Sequence, residues 1–173
     1  LEMARQEGEA YHRSLLYMAN DVADAGGEQQ AGDYIVAFAQ ERAEGMYMLR
    51  GEGKLEWVEP QDENGHREIW VTGAADRRCI PAHDIQAALI PKSGDTIGPF
   101  PVPFLWHPGL YHYGRNTKLP SDGRYTIRIR IAPPTLPEWA SFFAVRRLNC
   151  SAVMPRQPMF STGNLPAAPP PSA

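Results

Sequence analysis

Seven residues at positions 125–131, Tyr-Thr-Ile-Arg-Ile-Arg-Ile, alternate between apolar and polar side chains with a period of two. Successive side chains of a β-strand point to opposite faces, so this pattern predicts a strand with one buried face and one half-exposed face. The turn-forming sequence Pro-Ser-Asp-Gly at 120–123 comes just before it. One covered face and one solvated face are typical of antiparallel sheets, and we therefore expect an antiparallel strand here.

The rest of the chain favours many short strands. Its 173 residues include 17 prolines and 15 glycines, which suits strands joined by turns better than a helical bundle. Further strand candidates lie at 34–39, 46–49, 55–58, 66–71, 80–90 and 142–145, and the proline-rich segment 99–104 is predicted to be extended and edge-like. About seven or eight short strands, in a chain long enough for one core, predict an all-β fold of the antiparallel β-sandwich type.

The two ends differ in composition from the middle. Residues 3–24 are predicted to form a short N-terminal helix that ends at Gly26-Gly27, because its apolar residues share one face: Tyr11, Leu15, Leu16, Met18 and Val22. We expect residues 1–32 to be this helix and a polar linker, with residues 29–32 as the linker. Residues 33–148 are the predicted sandwich, and 149–173 a Pro/Ala-rich, disordered tail.

Composition also excludes several classes of function. The formal charge of −3 and the isoelectric point near 6.0 argue against nucleic acid as a partner. The sequence has no apolar run long enough for a transmembrane helix and does not begin with a signal segment, so we expect either a cytoplasmic protein or one whose leader was removed. The two cysteines, Cys79 and Cys150, form neither a disulfide framework nor a zinc pattern.

Two histidine-containing segments could bind a metal. On a strand, His66 and Glu68 would share a face at a separation of about 6.5 to 7 Å, close enough to serve one ion. His107 and His112 lie in a Pro/Gly-bent aromatic segment at 106–116, and imidazole is the commonest protein ligand of transition metals. The alternatives are an exposed polar pair at 66 and 68, and an imidazole at 112 that only bonds a backbone carbonyl.

Other histidines and methionines have weaker claims. We expect His83 to lie at the surface or at a sheet edge, and His12 to lie on the helix without an acidic partner at ligand spacing. Met46 and Met48 would share a strand face and could bring thioethers to copper, although methionine more often fills gaps in a core.

Several motifs together resemble a known family in both order and spacing. They are Tyr-Ile-Val-Ala at 34–37, Glu-Gly-Met at 44–46, His-x-Glu at 66–68, Ile-Pro at 80–81, Pro103, His-Tyr-Gly-x-Asn at 112–116 and Gly-x-Tyr-Thr at 123–126. Over residues 33–134 the chain looks like the periplasmic iron-transport accessory proteins. The resemblance implies an immunoglobulin-like β-sandwich homodimer that binds copper and works beside an inner-membrane iron permease.

The same resemblance implies a metal site made of His66, Glu68 and His112. The family's methionine after the matched Pro103 is replaced here by Phe-Leu-Trp-His, so His107 would stand in for it, or else the thioether of Met46 or Met48. The family's later Pro-Arg-His-like step is also absent, and Glu138 is the residue that would offer an oxygen in its place.

We therefore expect a non-catalytic metal-binding protein that holds copper, or iron, zinc or manganese in its place, and supports iron uptake from the periplasm. Enzymes are disfavoured because the sequence lacks a nucleophile elbow, a phosphate-binding loop and an H-E-x-x-H motif. A metalloenzyme with an open coordination position stays a third interpretation. The second is an interaction domain whose aromatic loop, from Trp106 to Tyr113, docks a protein partner without metal.

Overall fold

The computed structural model describes residues 1–105, 110–134 and 148–154, the last of these by backbone alone. The chain begins with helix α1 (Glu2–Tyr17), followed directly by a π-helical turn (Met18–Val22). The strands are β1 (Ala25–Ala31), β2 (Tyr34–Glu41), β3 (Met46–Arg50), β4 (Lys54–Val58), β5 (Gly65–Gly73), β6 (Ile85–Pro91), β7 (Ile97–Pro101), β8 (Phe104–Leu105), β9 (His112–Thr117), β10 (Tyr125–Ile131) and β11 (Leu148–Met154).

Two antiparallel sheets form a β-sandwich, as the sequence predicted. One sheet has the strand order β1-β2-β5-β9-β8, and the other has the order β11-β10-β6-β7. The hairpin of β3 and β4 is a separate two-stranded sheet, joined at its tip by a short 3₁₀ turn at Gly51–Gly53. Among the described helices, none is long and apolar enough to cross a membrane.

The main core lies between the two large sheets. On β10, Ile127, Ile129 and Ile131 are buried, whereas Arg128 and Arg130 are exposed, so the predicted alternation is confirmed. The facing sheet contributes the inward side chains of β2 and β5, and both strands supply them at every second position: Tyr34, Val36, Phe38, Ile69 and Val71. This apolar layer fixes which residues of β5 point outward.

Helix α1 covers the outer face of the five-stranded sheet. Leu15 is 2% exposed and packs with Ala37, Ala39 and Trp70 in a second apolar cluster. Burying a leucine side chain contributes roughly 2 kcal/mol, so this contact helps to hold the helix against the sheet. Gly26 lets the π-helical turn approach β1, because a Cβ at this position would overlap the backbone of Ala19.

The N-terminal linker prediction was wrong for most of its length. Residues 29–31 belong to β1, which pairs with β2 along its whole length. Strand pairing uses backbone hydrogen bonds, so a polar segment with no apolar pattern can still form an edge strand. The helix prediction at 3–24 is correct to Tyr17, after which the backbone continues as the π-helical turn.

Two further boundaries differ from the prediction. The strand predicted at 80–90 begins only at Ile85, and Cys79 makes a single isolated bridge to Thr72. Residues 149–154, predicted as part of a disordered tail, pair with β10 as β11. The strand candidate at 142–145 and the remaining tail at 155–173 lie outside the described residues.

We predict that Gly26→Ala destabilises the protein by about 1 to 3 kcal/mol, because the added methyl group must displace the π-helical turn from β1. Urea denaturation followed by circular dichroism measures the change. Gly51→Ala is the control, since nothing lies within 4 Å of a Cβ there. Equal stability of the two variants would contradict this account of how α1 docks.

Candidate metal centre

The outward face of β5 carries the candidate site. His66, Glu68 and Trp70 alternate with the inward residues of the same strand, so all three project toward the side that α1 covers. Strand β9 pairs with β5 such that Glu68 lies opposite Gly114 and His66 opposite Asn116. His112, at the start of β9, projects to the same face as Gly114.

Three potential ligand atoms converge there in a buried position. The Nε2 atom of His112 is 3.3 Å from Oε1 of Glu68, and the Nε2 atom of His66 is 3.8 Å from that oxygen. One ligand atom from each of the three residues lies within 4.8 Å of the others. His66, Glu68 and His112 are 0%, 4% and 5% exposed, so this polar group is shielded from water.

The orientation of His66 is fixed by a hydrogen bond behind it. Its Nδ1 lies 2.9 Å from Oδ1 of Asn116, and Nδ2 of Asn116 donates to the backbone oxygen of Glu44 at 2.7 Å. Because the amide nitrogen of Asn116 is used in this way, its oxygen faces His66 and accepts the Nδ1 proton. The Nε2 atom of His66 therefore presents a lone pair to Glu68.

His112 is arranged in the same way. Its Nδ1 donates to the backbone oxygen of Leu110 at 2.9 Å, which directs Nε2 toward Glu68 as an acceptor. The imidazoles of His66 and His112 meet edge to face with their centroids 5.8 Å apart, and the ring of Trp70 lies 6.0 Å from that of His112. Both histidines thus turn a lone pair toward the same carboxyl group.

The electrostatics of Glu68 follow from this geometry. Burial, together with the neighbouring carboxylates of Glu41 and Glu44, raises the pKa of its carboxyl group to about 8. Burial also lowers the pKa of His66, although the hydrogen bond to Asn116 opposes the shift. At neutral pH the site therefore holds a neutral imidazole at His66 and a largely protonated carboxyl group.

Glycine at position 114 makes room for the two rings. A Cβ on Gly114 would lie 2.9 Å from Nε2 of His66 and 3.0 Å from Cδ2 of His112, and it would also press on the side chain of Leu105. Any other residue would push the imidazoles away from Glu68. This contact explains the glycine of the His-Tyr-Gly-x-Asn motif.

The donor set fits a divalent transition metal ion. Two imidazole nitrogens and one carboxylate are the ligands of many His/Glu metal sites. Within the described part of the chain, Nε2 of His66 and Oε2 of Glu68 are buried and make no hydrogen bond. Buried polar atoms are costly unless they have a partner, and a bound cation would satisfy both.

The structure does not test the other three predicted ligands. Met46 lies at the start of β3, two residues after Glu44, and its ligand role stays a prediction. His107 and Glu138 lie outside the described residues. The three ligand predictions that the structure does bring together are His66, Glu68 and His112.

The expectation for His83 was wrong. His83 is 7% exposed and lies in the interior, where Nδ1 bonds the backbone oxygen of Ala132 and the hydroxyl of Tyr113 accepts the His83 backbone N–H. The burial of His83 was not predicted because this residue lies in the loop before β6, and the sequence does not reveal which loops are covered by other elements. His12 does have an acidic neighbour, Glu28, at 3.8 Å, but that residue lies on β1 and not in the helix.

Sequence reasoning missed the residues that support the ligands. Asn116 orients His66, and its presence in the matched His-Tyr-Gly-x-Asn motif was the available signal. Glu41 and Glu44 affect the charge of Glu68 across space. Tyr11 of α1 donates to the backbone oxygen of Tyr111 at 2.5 Å and so ties the helix to the segment before His112.

Comparison with known proteins supports the fold. No protein-family model matches the chain, and no curated protein matches it. The chain is similar to the structure of FetP from uropathogenic Escherichia coli strain F11, with 15% identity, 75% of this chain and 92% of that chain covered, and a TM-score of 0.61.

Two copper-containing structures show the same similarity. One is a copper-bound variant of FetP, with 16% identity, 76% and 94% of the two chains covered, and a TM-score of 0.62. The other is the copper-reconstituted P19 protein of Campylobacter jejuni, with 12% identity, 78% and 96% covered, and a TM-score of 0.59. At this identity the likeness shows a shared fold, and the fold that the sequence motifs implied is confirmed.

We predict that Glu68→Gln changes the pH dependence of stability in the metal-free protein. The pKa of Glu68 is higher in the folded state, at about 8, than its ordinary value of 4.5, so the folded protein binds this proton more tightly. The stability contributed by the proton is complete below pH 4.5 and is lost as the pH rises to about 8.

Glutamine cannot lose a proton, so the variant should gain stability relative to the wild type between pH 5.5 and pH 9. Urea denaturation of both proteins at both pH values tests this. A stability difference between the two proteins that is the same at both pH values would show that Glu68 does not titrate in this range.

Proposed function

We propose that this protein binds copper as Cu(II) through His66, Glu68 and His112 and works without catalysis as a metal-binding protein. The observation that carries the proposal is the convergence of two oriented imidazole nitrogens and a carboxyl oxygen within 4.8 Å in a buried position. Second hydrogen bonds hold both rings with Nε2 directed inward, which is the usual arrangement of metal-binding histidines.

The chemistry of the ligands favours copper among the available ions. Sites made of nitrogen and oxygen ligands bind Cu(II) more tightly than the other first-row divalent metal ions. Iron, zinc and manganese would therefore bind these three residues more weakly. A thioether would be needed to favour Cu(I), and Met46 is the proposed residue for that role. His107 and Glu138 complete the set of proposed additional ligands.

The proposed setting is iron uptake outside the cytoplasm. Copper is present in the structures of a FetP variant and of P19, and the FetP structure came from protein expressed in the periplasm. By that similarity we propose that the protein supports a membrane iron permease from the periplasmic side. A permease gene beside the gene for this protein would support the role, and a genome without one would argue against it.

We predict that His66→Ala and His112→Ala each weaken Cu(II) binding at least a hundredfold, because each removes one of three ligands. Isothermal titration calorimetry of tag-free protein measures the affinity. In the wild type at pH 7, binding should release a proton, since the carboxyl group of Glu68, with its pKa of about 8, must ionise to bind the ion. Repeating the titration in buffers of different ionisation enthalpy measures that proton.

His83→Gln is the matched control, since His83 is also a buried histidine but lies apart from the three ligands. It should keep the wild-type affinity. Unaltered Cu(II) binding in both alanine variants, with native circular dichroism, would overturn the proposed site. A wild-type protein that binds no metal would instead favour the alternative in which the aromatic loop docks a protein partner.

We also propose that the protein forms a homodimer through the β3–β4 hairpin. Tyr47 and Trp57 lie opposite each other on this hairpin with ring centroids 5.0 Å apart, and Leu55 follows on the same face. These three side chains are 64%, 47% and 65% exposed. A two-stranded hairpin is marginally stable alone, and its apolar face would gain from burial against a second copy.

We predict that the double variant Tyr47→Ser/Trp57→Ser weakens dimerisation at least tenfold, because buried aromatic residues dominate such contacts. Sedimentation velocity over a range of concentrations measures the association. Tyr17→Ser removes an equally exposed aromatic ring from α1 and should leave the dimer unchanged. A monomeric wild type, or a double variant as dimeric as the wild type, would contradict the proposal.

A further inference from the structure

Arg67 lies between two proposed ligands in the sequence but points the opposite way. As an odd-numbered residue of β5 it shares the inward face with Ile69 and Val71. Its side chain is 0% exposed. A guanidinium group is therefore enclosed between the two sheets, on the other side of the strand from His66 and Glu68.

The guanidinium makes few bonds for a buried cation. Its Nη1 donates to the backbone oxygen of Thr117 at 3.3 Å, whereas Nε and Nη2 have no acceptor within the part of the chain that the structure describes. Nε and Nη2 form the side-on edge of the guanidinium, which normally donates two parallel hydrogen bonds to one anionic group. The hydroxyl of Thr117 is also buried and makes no hydrogen bond to a described residue.

Among the described residues, no carboxylate balances the charge of Arg67, since no Asp or Glu there forms an ion pair with it. Burial lowers the pKa of Arg67 to about 10, and a charge interaction with Tyr125 opposes this shift.

The neighbouring side chains add to the positive charge. Arg115 lies directly opposite Arg67 on β9, and its Nη1 donates to the backbone oxygen of Pro101. Like charges directly opposite each other on neighbouring strands destabilise a sheet. On the other side, Gln40 pairs with Arg67 in register but offers only a neutral amide, whose nitrogen bonds the backbone oxygen of Glu41.

We propose that Nε and Nη2 of Arg67 bind a small monovalent inorganic anion of about the size of chloride between the two sheets, with the hydroxyl of Thr117 as a further donor. A buried, unpaired charge is among the most costly groups in a protein interior, and a bound anion offsets that cost. The complete enclosure of Arg67 excludes larger anions such as gluconate. The anion would stabilise the sandwich independently of any metal on the opposite face of β5.

Bromide locates the anion directly in the wild-type protein. Crystals of the metal-free protein grown in sodium bromide should show an anomalous scattering peak within about 3.5 Å of Nε and Nη2 of Arg67, the usual range of a charge-assisted contact to a halide. A water molecule or a protein group at that edge, with no anomalous signal, would overturn the proposal. This measurement does not depend on any variant being able to fold.

Thermal melting of the metal-free protein gives the second test. When sodium gluconate is replaced by sodium chloride at constant ionic strength, each tenfold rise in chloride above the dissociation constant should raise Tm by about 3 °C. Arg67→Met should abolish this dependence, whereas Arg128→Met, on the exposed face of β10, should keep it. A parallel titration with bicarbonate distinguishes a halide from an oxyanion as the natural ligand, and a Tm that is the same in every salt would refute anion binding.

Discussion

Strand β5 lies between β2 and β9, and this pairing holds both faces of the strand in place. The inward side chains Ile69 and Val71 are buried in the sandwich core, and a shift of the strand register by one residue would turn them to the outer face. The same register forces His66 and Glu68 outward, to the side where His112 arrives from β9. The candidate metal centre thus depends on the packing of residues that take no part in it.

The group of three ligands is unfavourable in a protein without a cation. Both imidazoles direct an acceptor nitrogen at Glu68, so an ionised carboxylate there would meet lone pairs and not donors. Burial favours the neutral form of the carboxyl group and helps to raise its pKa to about 8, so the group stays largely protonated at neutral pH. A divalent ion would replace that proton and bind all three residues. Its positive charge attracts the two imidazole nitrogens and the carboxylate oxygen, whose lone pairs repel one another in the metal-free site.

Small residues allow the outer face of the five-stranded sheet to pack against α1 and also to hold the candidate metal site. Ala37, Ala39 and Gly26 let α1 and its π-helical turn lie close to the strands, and Gly114 leaves room for the two imidazoles. The helix then shields the site from water, which raises the pKa of Glu68 and lowers that of His66. The electrostatic character of the site is therefore set partly by an element that supplies none of its ligands.

The sequence by itself determined the periodic parts of this protein. Alternation in β10 and β5 predicted strands with defined faces, and His66, Glu68 and His112 were predicted as ligands, which the structure brings together. Polar β1 and the segment at 149–154 were missed because their pairing uses backbone groups that leave no side-chain pattern. Only the tertiary structure decided that His83 is buried, that Asn116 orients His66, and that Arg67 is enclosed without a carboxylate. Each of these depends on which strands become neighbours, and residues far apart in sequence meet only after the sheets have paired.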